Sequence, residues 1–129
     1  MRLIIGMSGA SGVIYGIRLL EVLSRVEQVE THLVLSDSAK LNIAIETDRS
    51  AKDVQALADE VYSNKDIAAR LASGSFKTDG MIVAPCAVKT LSAIANSYAD
   101  SLLVRAADVV LKERRRLVLV PRETPLHTG

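Results

Sequence analysis

Near the start of the chain, the apolar run Leu3-Ile4-Ile5 gives way to Gly6-Met7-Ser8-Gly9-Ala10-Ser11-Gly12, and an amphipathic pattern begins at once from Val13. The order is strand, glycine-rich turn, helix. Such a turn brings successive backbone N–H groups to the positive end of a helix dipole, and the missing Cβ atoms let an anion, usually a phosphate, approach the backbone. A phosphorylated ligand is the first expectation. The spacing excludes two common owners of such turns. A P-loop needs Lys-Ser/Thr directly after its last glycine, where this chain has Val13-Ile14, and the dinucleotide fingerprint needs Gly-x-Gly-x-x-Gly, where this chain offers Gly6-x-x-Gly9-x-x-Gly12. The second strand ends in Leu33-Val34-Leu35-Ser36 instead of the acidic residue that holds a dinucleotide's ribose. A hydroxyl at Ser36 suits a phosphate or a polyol chain.

Further along, apolar residues at Val13, Ile14, Ile17, Leu20 and Leu23 predict a helix over 13–26. A strand over 32–35 follows, then a short helix over 39–46 capped by Ser36-Asp37-Ser38. Ser50-Ala51-Lys52-Asp53 resembles a capping box, with Asp in place of Glu, opening a helix through Val54, Leu57 and Val61. The polar stretch 63–78 reads as a surface connection with a short helix at 66–72. Met81-Ile82-Val83-Ala84 is a third strand, followed by a second strand-to-helix turn at Ala87-Val88-Lys89-Thr90. A helix through Leu103, Ala106, Val110 and Leu111 ends in Lys112-Glu113-Arg114-Arg115-Arg116, and a fourth strand over 117–120 delivers Pro121-Arg122-Glu123-Thr124. Alternation of strands and helices predicts a parallel sheet with right-handed crossovers and helices on both faces. The strand ends then converge on one edge, where ligands of open α/β sheets bind.

Composition narrows the partners. Sixteen basic and fifteen acidic residues in 129 leave a formal charge of +1, so no global field favours nucleic acid or an anionic membrane. The longest apolar runs are far short of a membrane span, and a cytoplasmic location is the expectation. One cysteine, Cys86, and two histidines, His32 and His127, offer no metal spacing. Cys86 is expected to be packed at a strand end, and His32 to be structural. Glu46, read alone, is a surface carboxylate at a helix end.

The combination Gly9-Ala10-Ser11-Gly12, Ser36, Glu46-Thr47-Asp48, Pro85-Cys86-Ala87-Val88-Lys89-Thr90, Arg105-Ala106-Ala107-Asp108 and Pro121-Arg122-Glu123-Thr124-Pro125 resembles the UbiX/Pad-type flavin prenyltransferases. The resemblance covers nearly the whole chain in order. It implies a Rossmann-like, flavodoxin-like three-layer α/β fold, with residues 1–129 as a single flavoprotein domain. It also implies an enzyme that joins the dimethylallyl group of dimethylallyl phosphate to N5 and C6 of reduced FMN, making prenylated FMN for a UbiD-type decarboxylase. A homo-oligomer, a trimer or a dodecamer, is implied too.

By the same resemblance Gly9, Ala10, Ser11, Ser36, Ala87, Val88, Lys89, Thr90 and Arg122 bind FMN. Arg105, Lys112 and Glu123 surround the substrate phosphate, with Lys112 reaching across a subunit boundary, and Ser11, Glu46 and Arg122 are the catalytic set. Fixed cations stabilise the phosphate as it departs, so no metal is required. Two features depart from the family pattern: Ala87 replaces a common serine, and the chain stops before the family's C-terminal segment with its tyrosine and basic residue. The other readings are an FMN-binding protein without catalysis and an aromatic acid decarboxylase.

Overall fold

Parallel strands need a long return connection, and here helices supply it on both sides of one sheet. The computed structural model describes residues 1–9 and 11–121. Its strands are β1 (Arg2–Met7), β2 (Glu30–Leu35), β3 (Glu60–Ser63), β4 (Gly80–Cys86) and β5 (Arg116–Pro121). The helices are α1 (Val13–Leu23), α2 (Asp37–Glu46), α3 (Ala51–Gln55), α4 (Val88–Ala95) and α5 (Leu102–Lys112). All five strands are parallel, in the order β3-β2-β1-β4-β5. Alternation along β1 sends Ile4 to one face and Ile5 and Met7 to the other. On the first face Ile4, Val34, Met81 and Val83 pack with α4 and α5 through Ile94, Leu103, Ala106, Ala107 and Val110. On the second, Ile5, Met7, Leu33 and Leu35 pack with α1, α2 and α3 through Ile17, Leu20, Ile43 and Val54. This is the expected three-layer flavodoxin-like sandwich.

The sequence reading missed β3. Val54, Leu57 and Val61 fit a helical period by coincidence, whereas α3 ends at Gln55 and Val61 lies in a strand paired with β2, Leu33 opposite Val61. A reciprocal pair sets that strand's start: Thr31 N–H donates to Asp59 Oδ2 at 2.8 Å, and Asp59 N–H donates to Thr31 Oγ1 at 3.1 Å. The helix expected over 66–72 shrinks to one 3-10 turn, Arg70–Ala72. The Ser50 box is complete in both directions, so Asp serves in place of Glu. His32 is structural, as expected. Fully buried, it lies between Tyr62 Oη, 2.8 Å from Nδ1, and Glu30 Oε1, 2.5 Å from Nε2. That contact, and then Arg2, holds the Glu30 carboxyl below its ordinary value.

Gly16 lets α1 lie against β4: a Cβ there would overlap the Ala84 carbonyl oxygen and press on the Met7 side chain. Gly16→Ala is therefore expected to lower stability by about 1–3 kcal/mol, the usual cost of overpacking. A lower urea midpoint with an unchanged slope is the check.

Candidate functional site

The sheet has a switch point between β1 and β4. From β1 the chain passes through α1 to β2 on one side, and from β4 it passes through α4 and α5 to β5 on the other. The turns after β1 and β4 therefore part in opposite directions, and a crevice opens between them at the carboxyl edge. A cleft of about 280 Å³ lies at this edge, and its lining includes Gly9, Ser36, Ala87, Lys89 and Thr90, with Asn64 and Ser101. Five of the residues expected to bind FMN thus share one cavity.

Helices α1, α2, α4 and α5 all begin at this edge, and their first turns differ. Ser36 Oγ accepts the Ala39 N–H at 3.0 Å and caps α2, while Ser101 Oγ accepts the Val104 N–H at 3.3 Å and caps α5. Asn64 saturates α5 further: its backbone oxygen accepts the Leu102 N–H at 2.9 Å and its Oδ1 accepts the Leu103 N–H at 2.8 Å. No side chain caps α1 at Gly12 or α4 at Ala87. First-turn N–H groups of an uncapped helix point outward with the positive dipole end behind them, which suits a phosphate or a polar ligand face.

Two glycines shape the approach. Gly12 has φ 97°, a left-handed conformation that other residues adopt only under strain. Gly9 touches the start of α2 so closely that a Cβ would overlap that of Ser38. Glu46, at the end of α2, is solvent-exposed but not idle: its Oε1 accepts the Gly12 N–H at 3.0 Å. A carboxylate is thereby fixed at the N-terminus of α1 beside the exposed Ser11, so the local reading of a bare surface carboxylate is too plain. Ser36 combines two functions, since its hydroxyl caps α2 and still has a proton to donate into the cleft.

The expected phosphate residues do not all gather here. Arg105 is half-buried in the first turns of α5, and its Nε is buried without a hydrogen-bond partner. Lys112 lies at the other end of α5, toward the amino edge, where its Nζ is 3.0 Å from Asp108 Oδ2. Seven residues separate the two, about 10 Å along a helix axis. Within one chain Lys112 is thus remote from the cleft. Ala10, Arg122 and Glu123 lie outside the described residues.

Cys86 is buried at the end of β4, as expected, and burial pushes its thiol above the ordinary value. Sequence reasoning missed Ser8, which is 1% exposed and bonded to the β4–α4 turn, and Asn64, which follows the unrecognised strand β3. A serine inside a glycine turn was the available signal for the first. A larger hollow of about 550 Å³ lies at the amino edge between Leu3, Ile82, Val118 and Arg114 to Arg116. It faces strand starts and the C-terminal end of α5, away from the helix N-termini. Among the described residues no cluster of His, Cys, Asp and Glu is arranged for a metal, and no helix is long and apolar enough to cross a membrane.

A parallel sheet whose switch-point edge presents open helix N-termini beside hydroxyl groups defines a flavodoxin-like protein, and a family model described as Flavoprotein matches residues 1–126. The flavin prenyltransferase UbiX of Escherichia coli strain K12 is 62% identical over 128 residues, covering 99% of this chain and 68% of that protein. The chain belongs to the UbiX flavin prenyltransferase family. A dodecameric FMN-dependent UbiX-like decarboxylase from Escherichia coli O157:H7 superposes with a TM-score of 0.96 at 58% identity, covering 99% of this chain and 69% of that one. AnUbiX in complex with FMN and dimethylallyl pyrophosphate gives 0.94 at 54% identity, covering 98% and 67%. The chain thus spans about two thirds of the length of these relatives.

The buried, protonated Cys86 thiol is expected to resist iodoacetamide at pH 7.5 and to react stoichiometrically once the chain is unfolded in guanidinium. Intact-mass spectrometry reads both states, and rapid native alkylation would show the thiol to be accessible.

Proposed function

We propose that this chain is a flavin prenyltransferase that joins the dimethylallyl group of dimethylallyl phosphate to reduced FMN, giving prenylated FMN for a UbiD-type decarboxylase. One observation supports it above the rest: the two uncapped helix N-termini flank the switch point, with Ser36 and Thr90 in the adjoining cleft. That donor set fits FMN, which carries a phosphate, a polyol chain and a polar ring edge. The high identity to UbiX proteins over nearly the whole chain gives the reading its chemistry.

Reduced FMN supplies the electron-rich ring that takes up the prenyl group. The chain's contribution is to bind, orient and handle charge. Gly9, Ala10, Ser11 and Ser36 hold the flavin from the β1 and β2 sides, and Ala87, Val88, Lys89 and Thr90 hold it from the β4 side. Glu46, tethered to Gly12 N–H with Ser11 alongside, is the group that accepts a proton. Carboxylate geometry comes first in that assignment, since a base acts only within reach of the proton it takes.

By the family resemblance, the Arg105 guanidinium is a donor for the departing phosphate, and Arg122 and Glu123 complete the set. Preorganised cations lower the barrier because they stabilise charge as it develops without having to reorganise. Lys112 serves the same phosphate only from a neighbouring subunit, which agrees with a homo-oligomeric enzyme. A cytoplasmic location belongs to the same proposal.

Anaerobic incubation with reduced FMN and dimethylallyl phosphate, followed by mass spectrometry of the released flavin, tests it. The expected result is a gain of one prenyl unit. Glu46→Gln should keep FMN affinity within a few-fold and lower turnover by about 10²–10⁴, the usual contribution of a positioned base. FMN bound but unmodified would make the chain a flavin-holding protein, and turnover of aromatic acids without a partner enzyme would make it a decarboxylase.

A further inference from the structure

Ser8 lies inside the glycine turn but in neither the expected FMN-binding set nor the expected catalytic set, yet it ties together the two turns that part at the switch point. Its Oγ accepts the Ala87 N–H at 2.7 Å, and the same Oγ donates to the Pro85 carbonyl oxygen at 3.2 Å. Its backbone N–H donates to that carbonyl as well, at 3.1 Å. Three hydrogen bonds thus join one residue at the end of β1 to the turn between β4 and α4. The side chain is 1% exposed, so water does not compete for these bonds.

The chemistry of the hydroxyl is specific. One small group donates in one direction and accepts in another, which Ala cannot do and Cys does only weakly. Ala87 is the N-cap residue of α4, and its carbonyl accepts the Leu91 N–H at 2.8 Å, the first bond of that helix. Holding Ala87 N–H therefore fixes where α4 begins and where its outward N–H groups point. Without a cap of its own, α4 has no other side chain to set its first turn.

We propose that Ser8 is a positioning residue for flavin binding: its hydroxyl fastens the β4–α4 turn to the β1–α1 turn, so that the open N-termini of α1 and α4 act as one cradle. The inference rests on the reading of this edge as the FMN site. Ser8 touches no ligand in this assignment; it acts through Ala87. The Ala87 N–H is used internally, which leaves the N–H groups of Val88, Lys89 and Thr90 to face the ligand.

Ser8→Ala and Ser8→Cys test it, compared with Val54→Ala, a cavity variant in the buried face of α3 away from the switch point. Two quantities are measured: the FMN dissociation constant, and hydrogen exchange at the amides of Ala87 and Leu91. Loss of one buried hydrogen bond that aligns donors should raise the dissociation constant about tenfold in Ser8→Ala, with a smaller rise in Ser8→Cys. Exchange at Ala87 and Leu91 should quicken in both. Val54→Ala should lower the melting temperature while leaving FMN affinity and exchange at those two amides unchanged.

Wild-type affinity in both Ser8 variants would overturn the proposal, as would an equal loss of affinity in Val54→Ala. Ser8→Cys, nearly the same size as serine, decides the matter if Ser8→Ala does not fold. Failure of the unsubstituted protein to bind FMN would sink the reading of the site instead. In that case exchange at Ala87 and Leu91 alone decides whether Ser8 fastens the turns, and unchanged exchange would refute it.

Discussion

An all-parallel sheet imposes one constraint from which most of this structure follows. Every strand must be followed by a return path, and a helix that returns runs antiparallel to its strand. Helix N-termini and strand ends are therefore brought to the same edge, whatever the sequence in between. The positive ends of α1, α2, α4 and α5 all meet there. What the sequence decides is which of those ends it satisfies internally. Ser36 and Ser101 close two of them, and the glycine turn and Ala87 leave two without a side-chain cap.

The amino edge is organised in the opposite sense. Arg2 pairs with Glu30 at 3.1 Å, Glu30 meets His32, His32 meets Tyr62, and Arg70 donates to Tyr62 Oη at 2.7 Å. The Arg2 and Arg70 guanidinium groups lie 4.4 and 4.8 Å from the Phe76 ring centroid, on an aromatic that takes cations well. These groups are spent on one another. The two edges differ in kind: arginine side chains line the larger hollow beside Arg114, whereas hydroxyls and the uncapped start of α4 line the smaller cleft at the other edge.

Much of this was legible in the sequence because the signals were local. The glycine turn, the apolar runs of β1, β2 and β4, and the helical period of α1 and α5 each rest on residues close together in the chain. Gly9, Ser36, Ala87, Lys89 and Thr90 could be placed at one edge from strand order alone, and they share a cleft. What failed was non-local. Strand β3 is only four residues long and is specified by pairing with β2 and by the Thr31–Asp59 bonds, which span 28 residues. The bond from Gly12 to Glu46 spans 34 and that from Ala87 to Ser8 spans 79, so neither leaves a periodic trace. Lys112 lies at the far end of α5, so its expected reach across a subunit boundary has no counterpart within a single chain.

The uncapped starts of α1 and α4 have a consequence for the molecule as a thermodynamic object. N–H groups that no side chain satisfies are left to water, and an anion that meets them takes the place of that water. Anything that binds only the native chain raises its stability by mass action, by about 2.7 kcal/mol at a hundred times the dissociation constant. That is a large share of the 5–15 kcal/mol that holds a typical domain together. The stability of the native chain is thereby linked to the concentration of any anion bound at those two helix starts.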